Sequence, residues 1–338
     1  MIISQTPFRI SFFGGGTDFP EFYSQYGGAT LSTTINKYSY ISLHKLVPIF
    51  KYSFRASYAQ TESVQKPEEF THPLIRECML HLKISDAMEI AHTSDLPGRT
   101  GLGTSSSFTV GLLHALHRYL GNPVDAETLA REAILIERKR VGDAGGHQDQ
   151  YAAAYGGLLR LDFSGDSQVA VKRIEISPDR IQALNSRLML FYTGMEKSAE
   201  TILREQSRNT EINTPRLLKL KNMVDQAEQL LCGNAPLAEF GSLMHAGWEL
   251  KKTFSSGISN AVIDRAYTNA RAAGATGGKL LGAGGRGFLL LDADPTIHPA
   301  IRAALPEYNQ IDFALSEHGS RILFNQDEAL PTTNIRRT

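Results

Sequence analysis

The sequence has few of the residues that stabilise secreted scaffolds or anchor a chain in a membrane. Its 338 residues include two cysteines and one tryptophan. Cys78 and Cys232 lie far apart without CxxC spacing, which excludes a disulfide scaffold and a cysteine zinc site and suits a reducing compartment. No apolar run approaches the roughly 18 residues that span a bilayer, and the N-terminus lacks a signal-peptide pattern. We therefore expect a cytoplasmic protein without a membrane partner.

Neither sign of charge is in excess. The 35 Lys and Arg residues balance 35 Asp and Glu residues, so the formal net charge is +0. A neutral chain has no global field that would recruit nucleic acid, and we expect no nucleic-acid partner. The hydrophobic fraction of 42% and charged fraction of 21% are those of a globular protein. The length allows one large domain or two ordinary ones.

Hydrophobic periodicity predicts an α+β fold. In the first half we expect a loop over residues 50–70, strands at "FRISFF", "YSYISLHKLV", "EIAHTSDLP" and "GGLLRLDF", and helices at "PLIRECMLHL", from the "TSSSF" segment to about Leu120, and over "NPVDAETLAREAILIERKRVG". Asp125 is the predicted N-cap of the third helix, and its inward stripe is Leu129, Ala133 and Ile136.

The second half is predicted to be helix-rich and then to return to strands. "SRLMLFYTG" is an apolar run typical of a strand buried on both faces. Residues 195–273 are mostly helical, with breaks near Pro215, near Pro236 and at "SSGIS". The end predicts strand, helix, strand and strand at "GFLLLD", "PAIRAAL", "IDFALS" and "RILF". The loop-like stretch 165–185 suggests two domains, 1–175 and 176–338.

Glycine and hydroxyl residues are concentrated at the entrance of an apolar helix, in "LPGRTGLGTSSSF" at 96–108. A helix N-terminus leaves backbone N–H groups unpaired and carries partial positive charge. Glycines before it let a bulky anion reach the main chain, so this segment is a candidate polyphosphate site. The alternative is an ordinary glycine and serine loop that caps a buried helix.

Two familiar nucleotide motifs do not account for this chemistry. Gly98 and Gly103 have the Walker A spacing, but Thr104 stands where that motif requires lysine. "GAGGRG" at 282–287 fits G-x-G-x-x-G, yet a helix-like segment precedes it and the strand "FLLLD" follows. Because a dinucleotide fingerprint needs a strand before and a helix after, we reject the dehydrogenase interpretation.

Further candidates for chemistry lie beside other glycine-rich turns. Arg9 and Asp18 flank a triple glycine, Glu137 stands at a helix end, and Asp149 follows another glycine turn. Each acidic residue has a structural alternative: a loop cap for Asp18, a solvated helix charge for Glu137 and a helix N-cap for Asp149. Glu137 flanks the inward stripe of its helix and should point partly inward. His147 is most simply structural, because no second histidine or cysteine stands at ligand spacing.

Three segments in this order resemble the GHMP kinase superfamily. Pro7-Phe8-Arg9-Ile10 leading into "GGGTD" resembles the first motif, and "GAGGRG" resembles the third, with Arg286 as a departure. Residues 97–106 resemble the second motif, P-x-x-x-G-L-G-S-S-A, with Thr for the first Ser and Ser for the Ala. Within the superfamily, "FFGGGTDFPEFYSQYGG", "ERKRVGDAGGHQDQYAAAYGG" and "WELKKTFSSGISN" look most like the D-glycero-D-manno-heptose 7-phosphate kinases.

The resemblance implies a GHMP-type fold, with a ribosomal S5 domain 2-like N-terminal domain and a ferredoxin-like C-terminal domain. It implies an ATP-dependent, Mg²⁺-requiring kinase that phosphorylates the anomeric O1 of the heptose 7-phosphate to the 1,7-bisphosphate, on the route to GDP-heptose for bacterial surface glycans. The expected partners are ATP and a sugar phosphate, and the chain is expected to be a monomer or a homodimer. A fucose- or galactose-type sugar kinase and a non-catalytic sugar and ATP sensor are the alternatives.

The same resemblance implies site residues. Asp149 would act on the sugar hydroxyl with Arg9 beside it, and Ser105 and Glu137 would bind Mg²⁺. ATP would contact Pro97, Gly98, Gly101, Leu102, Gly103, Thr104, Ser105 and Ser106. The sugar phosphate would contact Asp18 with Gly15, Gly16 and Thr17, and candidate cations for its phosphate are Lys251, Lys252 and Arg204.

Overall fold

The structure, a computed structural model, describes residues 1–165, 168–194 and 199–326. The strands of the described part are β1 (Ile2–Phe13), β2 (Gly28–Lys45), β3 (Phe54–Ser57), β4 (Thr61–Val64), β5 (Met88–Ser94), β6 (Leu158–Phe163), β7 (Val169–Arg173), β8 (Leu188–Tyr192), β9 (Gly277–Leu280), β10 (Phe288–Asp292), β11 (Asn309–Gln310), β12 (Leu315–Ser316) and β13 (Arg321–Asn325). The helices are α1 (Pro20–Tyr26), α2 (Pro73–His81), α3 (Thr104–Tyr119), α4 (Ala126–Ile134), α5 (Gln148–Tyr155), α6 (Pro178–Arg187), α7 (Ala199–Arg208), α8 (Thr210–Cys232), α9 (Leu237–Lys252), α10 (Ala261–Ala272) and α11 (His298–Ala304).

Short 3₁₀ segments lie at Pro67–Glu69 and Pro295–Ile297. A π turn at Leu135–Val141 continues α4. No helix in the described part is both long and apolar enough to cross a membrane.

The larger sheet is built on the two longest strands, β1 and β2, which pair antiparallel. Strands β5 and β6 pair with β2 at its two ends, β3 runs parallel to β5, and β13 pairs with the free edge of β1. Almost every residue of β1 is buried, so both faces of this strand are covered. The sheet thereby fixes the end of β1, from which the glycine-rich "GGGTD" turn emerges.

The smaller sheet is antiparallel, in the order β11-β8-β10-β9. All five residues of β10 are buried, as are the first four of β8. β8 contains the apolar run "LMLF", for which the sequence predicts a strand buried on both faces, and β10 is the predicted strand "FLLLD". The turn between β9 and β10 contains the third glycine motif.

The two sheets share one hydrophobic cluster. Phe8, Ile10 and Phe12 of β1 belong to it together with Leu190 of β8 and Phe240 of α9. The ring of Phe240 packs edge-on against Phe12 with 5.2 Å between centroids. The division at residues 175 and 176 stays a prediction. The chain crosses from the first sheet there, and β12 and β13 later return to it.

The helix predictions with caps and clear periodicity are confirmed. α3 begins at Thr104 and is buried on nearly every side. Asp125 caps α4 by accepting a hydrogen bond from the N–H of Thr128 at 2.8 Å. The predicted inward stripe is buried, at Leu129, Ala133 and Ile136.

Other local predictions are wrong. The stretch 50–70 contains β3 and β4, two short, half-polar strands. β3 pairs with β5 and β4 pairs with β3, so both are fixed by pairing and not by their own pattern. β1 and β2 begin earlier than predicted, β7 was not predicted, and only Leu315–Ser316 of "IDFALS" is a strand. The loop-like "SPDR" opens α6, where Ser177 accepts from the N–H of Arg180 as an N-cap.

Two predictions about breaks also change. α8 runs through Pro215, which lies near the helix start and forfeits one backbone hydrogen bond, and the break falls at Asn209 instead. The buried stripe of α8, with Leu217 and Leu220, holds the helix together.

Strand β9 precedes "GAGGRG" where a helix was expected. Because β10 follows the motif directly, the dehydrogenase pattern is still absent. Residues 195–198 and 327–338 of the predicted elements and domains lie outside the described residues.

Candidate active site

The glycine-rich loop ends at Gly103, directly before α3. Gly103 has φ +70° and no side chain caps the helix. The N–H of Ser107 bonds to the carbonyl of Gly103 at 2.9 Å, so the N–H groups of residues 104–106 precede the first helical hydrogen bond. These donors, together with the dipole of a sixteen-residue helix, give this N-terminus the chemistry needed to bind an anion.

The back of this loop lies against the third glycine motif. A Cβ on Gly101 would be 2.3 Å from the carbonyl oxygen of Leu281, and one on Gly282 would be 2.4 Å from Cα of Gly101. A Cβ on Gly287 would be 2.5 Å from the carbonyl oxygen of Thr100. The two backbones therefore touch along a contact that we call the glycine seam (Thr100 and Gly101 against Leu281, Gly282 and Gly287).

The seam explains Gly282 and Gly287 of the third motif, where the backbone of the second motif approaches closely, whereas Gly284 lies against Ile258. Arg286 does not interrupt this contact. Its Nη1 lies 3.2 Å from the position of a Cβ on Gly194.

Arg9 and Asp149 form a bidentate ion pair at the front of the loop. Nε of Arg9 donates to Oδ1 of Asp149 and Nη2 donates to Oδ2, both at 2.7 Å, while Nη1 donates to the carbonyl of Gly101 at 2.6 Å. A Cβ on Gly103 would lie 3.1 Å from Cγ of Arg9 and 3.3 Å from Oδ2 of Asp149. The side chain of Arg9 is 6% exposed and that of Asp149 is 25% exposed, so the carboxylate keeps access to a ligand.

Asp149 is not the N-cap of its helix, since α5 begins at Gln148 after His147. Asp18, on the turn after β1, faces the same segment. Its Oδ1 accepts from the N–H of Gly16 at 2.9 Å and its Oδ2 from the N–H of Gln148 at 3.2 Å. Burial, and then the negative charge of Asp149, raise the pKa of Asp18.

The "GGGTD" turn is fixed from within. The hydroxyl of Thr17 donates to the carbonyls of Gly14 and Ala29, both at 2.8 Å, so this side chain holds the turn. Gly16, with φ +101°, lies beside Leu217 of α8. The turn thereby brings Gly15 beside Gln148, the residue before Asp149.

Two polar groups near this turn were missed from the sequence. A Cβ on Gly15 would lie 3.7 Å from both Oγ of Ser11 and Nε2 of Gln148. Oγ of Ser11 and Oε1 of Gln148 are buried without a hydrogen-bond partner among the described residues. Buried polar atoms without partners are uncommon and mark places where a ligand can bond. The signals were a serine within the apolar run "FRISFF" and a glutamine beside Asp149.

Glu137 is buried on the π turn and held by three neighbours. It accepts from Oγ of Ser106 at 2.8 Å, from Oγ1 of Thr109 at 2.7 Å and from Nε2 of Gln150. Burial raises the pKa of Glu137 to about 7. Its predicted partner Ser105 is exposed, and Ser106 makes the contact instead. Thr109 and Gln150 were missed from the sequence.

These groups fit a single hydrated Mg²⁺ better than a metal cage. The described residues contain no group of three or more His, Cys, Asp or Glu side chains that could hold a metal ion. Within the same residues Glu137 is a buried carboxylate without an ion pair, which is the situation that a nearby cation would relieve. Mg²⁺ is commonly bound through one or two carboxylates together with phosphate oxygens and waters.

Of the predicted phosphate cations, Lys251 lies in this site. It is buried, and Nζ donates to the carbonyl of Gly282 at 2.8 Å. Burial, and then the nearby charge of Arg9, lower the pKa of Lys251 to about 8, although the carboxylates of Asp18 and Asp149 act in the opposite direction. Lys252, by contrast, pairs with Glu249 at 2.8 Å.

A second buried lysine was missed. Nζ of Lys279, on β9, donates to the carbonyls of Ser11 and Phe12, both at 2.9 Å. Burial, and then the charge of Lys251, hold the pKa of Lys279 well below its usual value. In the sequence this lysine lies within "GGKLLG", where only the glycines stood out.

Arg204, the third predicted cation, lies on α7 beside a separate cavity of about 430 Å³. We call it the basic cavity, and its lining residues are Pro20, Glu21, Tyr23, Arg138, Lys139, Gly142, Asp143, Ala144, His147, Arg204, Ser207 and Arg208. His147 connects it to the ion pair, being two residues from Asp149 and donating its N–H to the carbonyl of Asp18 at 3.1 Å. Its ring bonds to the hydroxyl of Tyr23 at 3.0 Å, in agreement with the predicted structural role.

Comparison with protein families gives two matches. The family model described as GHMP kinases N terminal domain matches residues 73–157, and the one described as GHMP kinases C terminal matches residues 227–309. The first region includes the glycine loop, Glu137 and Asp149, and the second includes the glycine seam's third motif.

Individual relatives agree with these matches. The chain is 30% identical over 332 residues to D-glycero-α-D-manno-heptose 7-phosphate kinase from Campylobacter jejuni, covering 94% of this chain and 97% of the relative. It is 25% identical over 335 residues to the bifunctional fucokinase/GDP-fucose pyrophosphorylase from Arabidopsis thaliana, of which it spans 31%. A crystal structure described as a D-glycero-D-manno-heptose 1-phosphate kinase from Bacteroides thetaiotaomicron superposes with a TM-score of 0.72 at 24% identity, covering 96% of this chain and 99% of that one.

Proposed function

This chain belongs to the GHMP kinase family and is an ATP-dependent kinase, and on that premise we propose that it phosphorylates the anomeric O1 hydroxyl of D-glycero-D-manno-heptose 7-phosphate. The product would be the 1,7-bisphosphate, a precursor of GDP-heptose. The observation that carries the proposal is the position of the Asp149 carboxylate, in contact range of Gly103 at the tip of the glycine loop. In the proposed reaction this carboxylate accepts the proton at the helix end that binds the phosphates.

In the proposed site the N–H groups of residues 104–106 bind the triphosphate of ATP. Glycines at 101 and 103 keep the approach to the main chain free of side chains. Phosphoryl transfer requires positioning and charge neutralisation more than covalent chemistry from the protein.

Asp149 accepts the proton of O1 in the proposed reaction. As the O1–phosphorus bond forms, the bond between the γ-phosphorus and the bridging oxygen breaks, and ADP leaves. Arg9 fixes the orientation of the Asp149 carboxylate through two hydrogen bonds and places positive charge beside the transferred group. Asp18, Ser11 and Gln148 surround the triple-glycine turn and would bond to the hydroxyls of the sugar.

Glu137 would hold Mg²⁺ together with the phosphates and a hydroxyl of α3. The ion would neutralise charge on the β- and γ-phosphates when bound. Ser106 already contacts Glu137, so it is a candidate for this role alongside the predicted Ser105.

A fucose-type kinase is the second candidate function. The observation in its favour is the match to the bifunctional fucokinase over 91% of this chain. The two functions differ in one property, because fucose carries no phosphate and the heptose substrate does. A non-catalytic sensor would bind both ligands without releasing ADP.

An ADP-release assay over a panel of sugars and sugar phosphates tests the proposal. We expect turnover with the heptose 7-phosphate and little with free fucose, galactose or mannose. Asp149→Asn should lower kcat by about 10²- to 10⁴-fold with ATP affinity retained, because a general base is lost while the phosphate loop stays intact. Turnover of a free hexose in preference to the heptose phosphate would contradict the substrate, and near-normal turnover by the variant would contradict the role of Asp149.

A further inference from the structure

We propose that the basic cavity binds the phosphate monoester of the acceptor sugar and thereby selects phosphorylated over free sugars. This inference rests on the proposed function, since it assigns the end of the substrate farthest from the reacting hydroxyl. It replaces Lys251 and Lys252 as the principal phosphate cations and keeps Arg204, which lines the cavity.

The charges of the cavity match the ligand. Four basic side chains line it, at Arg138, Lys139, Arg204 and Arg208, against the carboxylates of Glu21 and Asp143. The difference, four minus two, is an excess of two positive charges. A phosphate monoester carries about −1.5 to −2 at neutral pH. The ring of His147 adds no charge there, because burial and then Arg138 lower its pKa to about 4.

The hydrogen bonds and ion pairs around the cavity leave some of its basic side chains able to bind an anion. Nη2 of Arg138 pairs with Glu21 at 3.1 Å, and Oδ1 of Asp143 accepts from the N–H of Gly145 at 2.6 Å. Neither Lys139 nor Arg208 makes a hydrogen bond or ion pair with another described residue. Unpaired cations facing one cavity repel each other, and an anion between them would remove that repulsion.

The position of the cavity suits a long substrate. His147 lines it and is two residues from Asp149, which separates their α carbons by at most about 7 Å. A seven-carbon sugar carries its phosphate at the end opposite to the anomeric hydroxyl. With O1 at Asp149 and the ring beside Asp18, the phosphate would extend past residues 146 and 147 into the cavity. None of residues 97–106 lines the cavity, so the nucleotide site is separate from it.

Paired kinetics test the assignment. Lys139→Gln and Arg208→Gln are assayed with D-glycero-D-manno-heptose 7-phosphate and with unphosphorylated D-glycero-D-manno-heptose. Each substitution should lower kcat/KM for the phosphate by about 10-fold or more, mainly through KM, and leave the value for the free sugar unchanged. The KM for ATP should stay constant, and salt should raise the KM of the sugar phosphate in the wild type more than in the variants.

Lys219→Gln and Arg265→Gln are matched controls, because both are exposed basic residues on other helices, α8 and α10. Neither control substitution should change kcat/KM for the heptose phosphate or kcat/KM for the free sugar. All four variants should keep the wild-type melting temperature, since each removes an exposed side chain.

The possible results distinguish an error in the cavity assignment from an error in the identity of the substrate. Retained preference for the heptose phosphate in Lys139→Gln and Arg208→Gln would overturn the cavity assignment and leave the proposed function intact. If the wild type instead prefers another sugar phosphate, and both variants lose that preference, the cavity assignment holds and the heptose is wrong. Preference of the wild type for a free sugar would overturn both.

Discussion

At the scale of single residues, Gly103 lies where the glycine-rich loop meets the carboxylate of Asp149. Its positive φ is a conformation that costs a side-chain-bearing residue about 1 kcal/mol. The added Cβ would also press against Arg9 and Asp149, at 3.1 and 3.3 Å. The position therefore combines a backbone requirement with a requirement for space at the ion pair.

Gly103→Ala should lower kcat by about 10-fold or more, because small displacements of a catalytic group are costly. Gly121→Ala is the matched control, since Gly121 has the same φ of +70° and nothing lies within 4 Å of its Cβ position. Thermal unfolding should show a loss of stability in both variants because both positions have positive φ, and steady-state kinetics should show a loss of turnover in Gly103→Ala alone. Equal turnover in the two variants would contradict the role of Gly103.

Glu137 should release a proton when Mg²⁺ and ATP bind. With a pKa of about 7 it is half protonated near neutral pH, and binding a cation requires the ionised form. Calorimetric titration at pH 7 in buffers of different ionisation enthalpy should detect the release. Glu137→Gln should abolish it, and at pH 9 it should vanish in the wild type. A wild-type titration at pH 7 that is independent of buffer would contradict a metal site at Glu137.

The same pKa sets a pH dependence for the free protein. The folded-state pKa of Glu137 is raised above its ordinary value of 4.5, so the folded state binds more protons between about 4.5 and 7. The free energy of unfolding should therefore fall as pH rises through this window, by about 3 kcal/mol at most.

Sequence motifs predict where a functional residue lies along the chain better than they predict which side of a helix its side chain is on. The sequence motifs predicted Glu137 and the N-terminus of α3 as parts of the site. They also predicted Ser105 as the partner of Glu137, whereas Ser106 contacts the carboxylate. Adjacent helical residues point about 100° apart, so the choice depends on the rotation of the helix, which spacing does not give. Lys279 was missed because a lone lysine reads as solvated, and its burial depends on packing against β1.

At the scale of elements, helices with a cap and strong periodicity could be predicted from the sequence, whereas strands with a weak hydrophobic pattern could not. The start of α4 was predicted from Asp125, whose side chain caps it without tertiary help. β3 forms because β5 offers an edge for pairing, and β4 then pairs with β3, which no local pattern of residues 50–70 reveals. Such elements depend on partners distant in the sequence.

Asn260 should matter more to stability than Asp125, although both are N-caps. Its Oδ1 accepts from the N–H groups of Val262 and Ile263, while Nδ2 donates to the carbonyl of Gly285 at 2.6 Å. Asn260→Ala should cost about 1 kcal/mol for the cap and about 0.5 to 1.5 kcal/mol more for the second bond. Asp125→Ala should cost the cap alone. Chemical denaturation measures both, and equal losses would show that the bond to Gly285 contributes nothing.

At the scale of the whole molecule, the two sheets depend on each other. The cluster that contains Phe8 and Phe12 is completed by Leu190, Phe240 and Phe288 from the second half. Strand β13 also covers the edge of β1. The resemblance to a known family implied the fold class, but neither the shared core nor the return of the chain to the first sheet could be predicted, because both are long-range contacts.

Residues 1–175 should not fold alone, because the fragment would expose this aromatic cluster and an uncovered strand edge. We expect aggregation or the lack of a cooperative unfolding transition. Co-expression with residues 176–338 should restore a soluble complex. A monomeric fragment with a sharp melting transition would contradict the mutual dependence.

The glycine seam has one more consequence for the nucleotide. Glycine usually gives a backbone freedom, yet here the missing side chains let two main chains support each other, leaving the loop little room to rearrange. We therefore expect the glycine-rich loop to have its ATP-binding conformation before ATP binds. Such preorganisation reduces the entropy lost on binding, so ATP should be captured without a folding step in the loop.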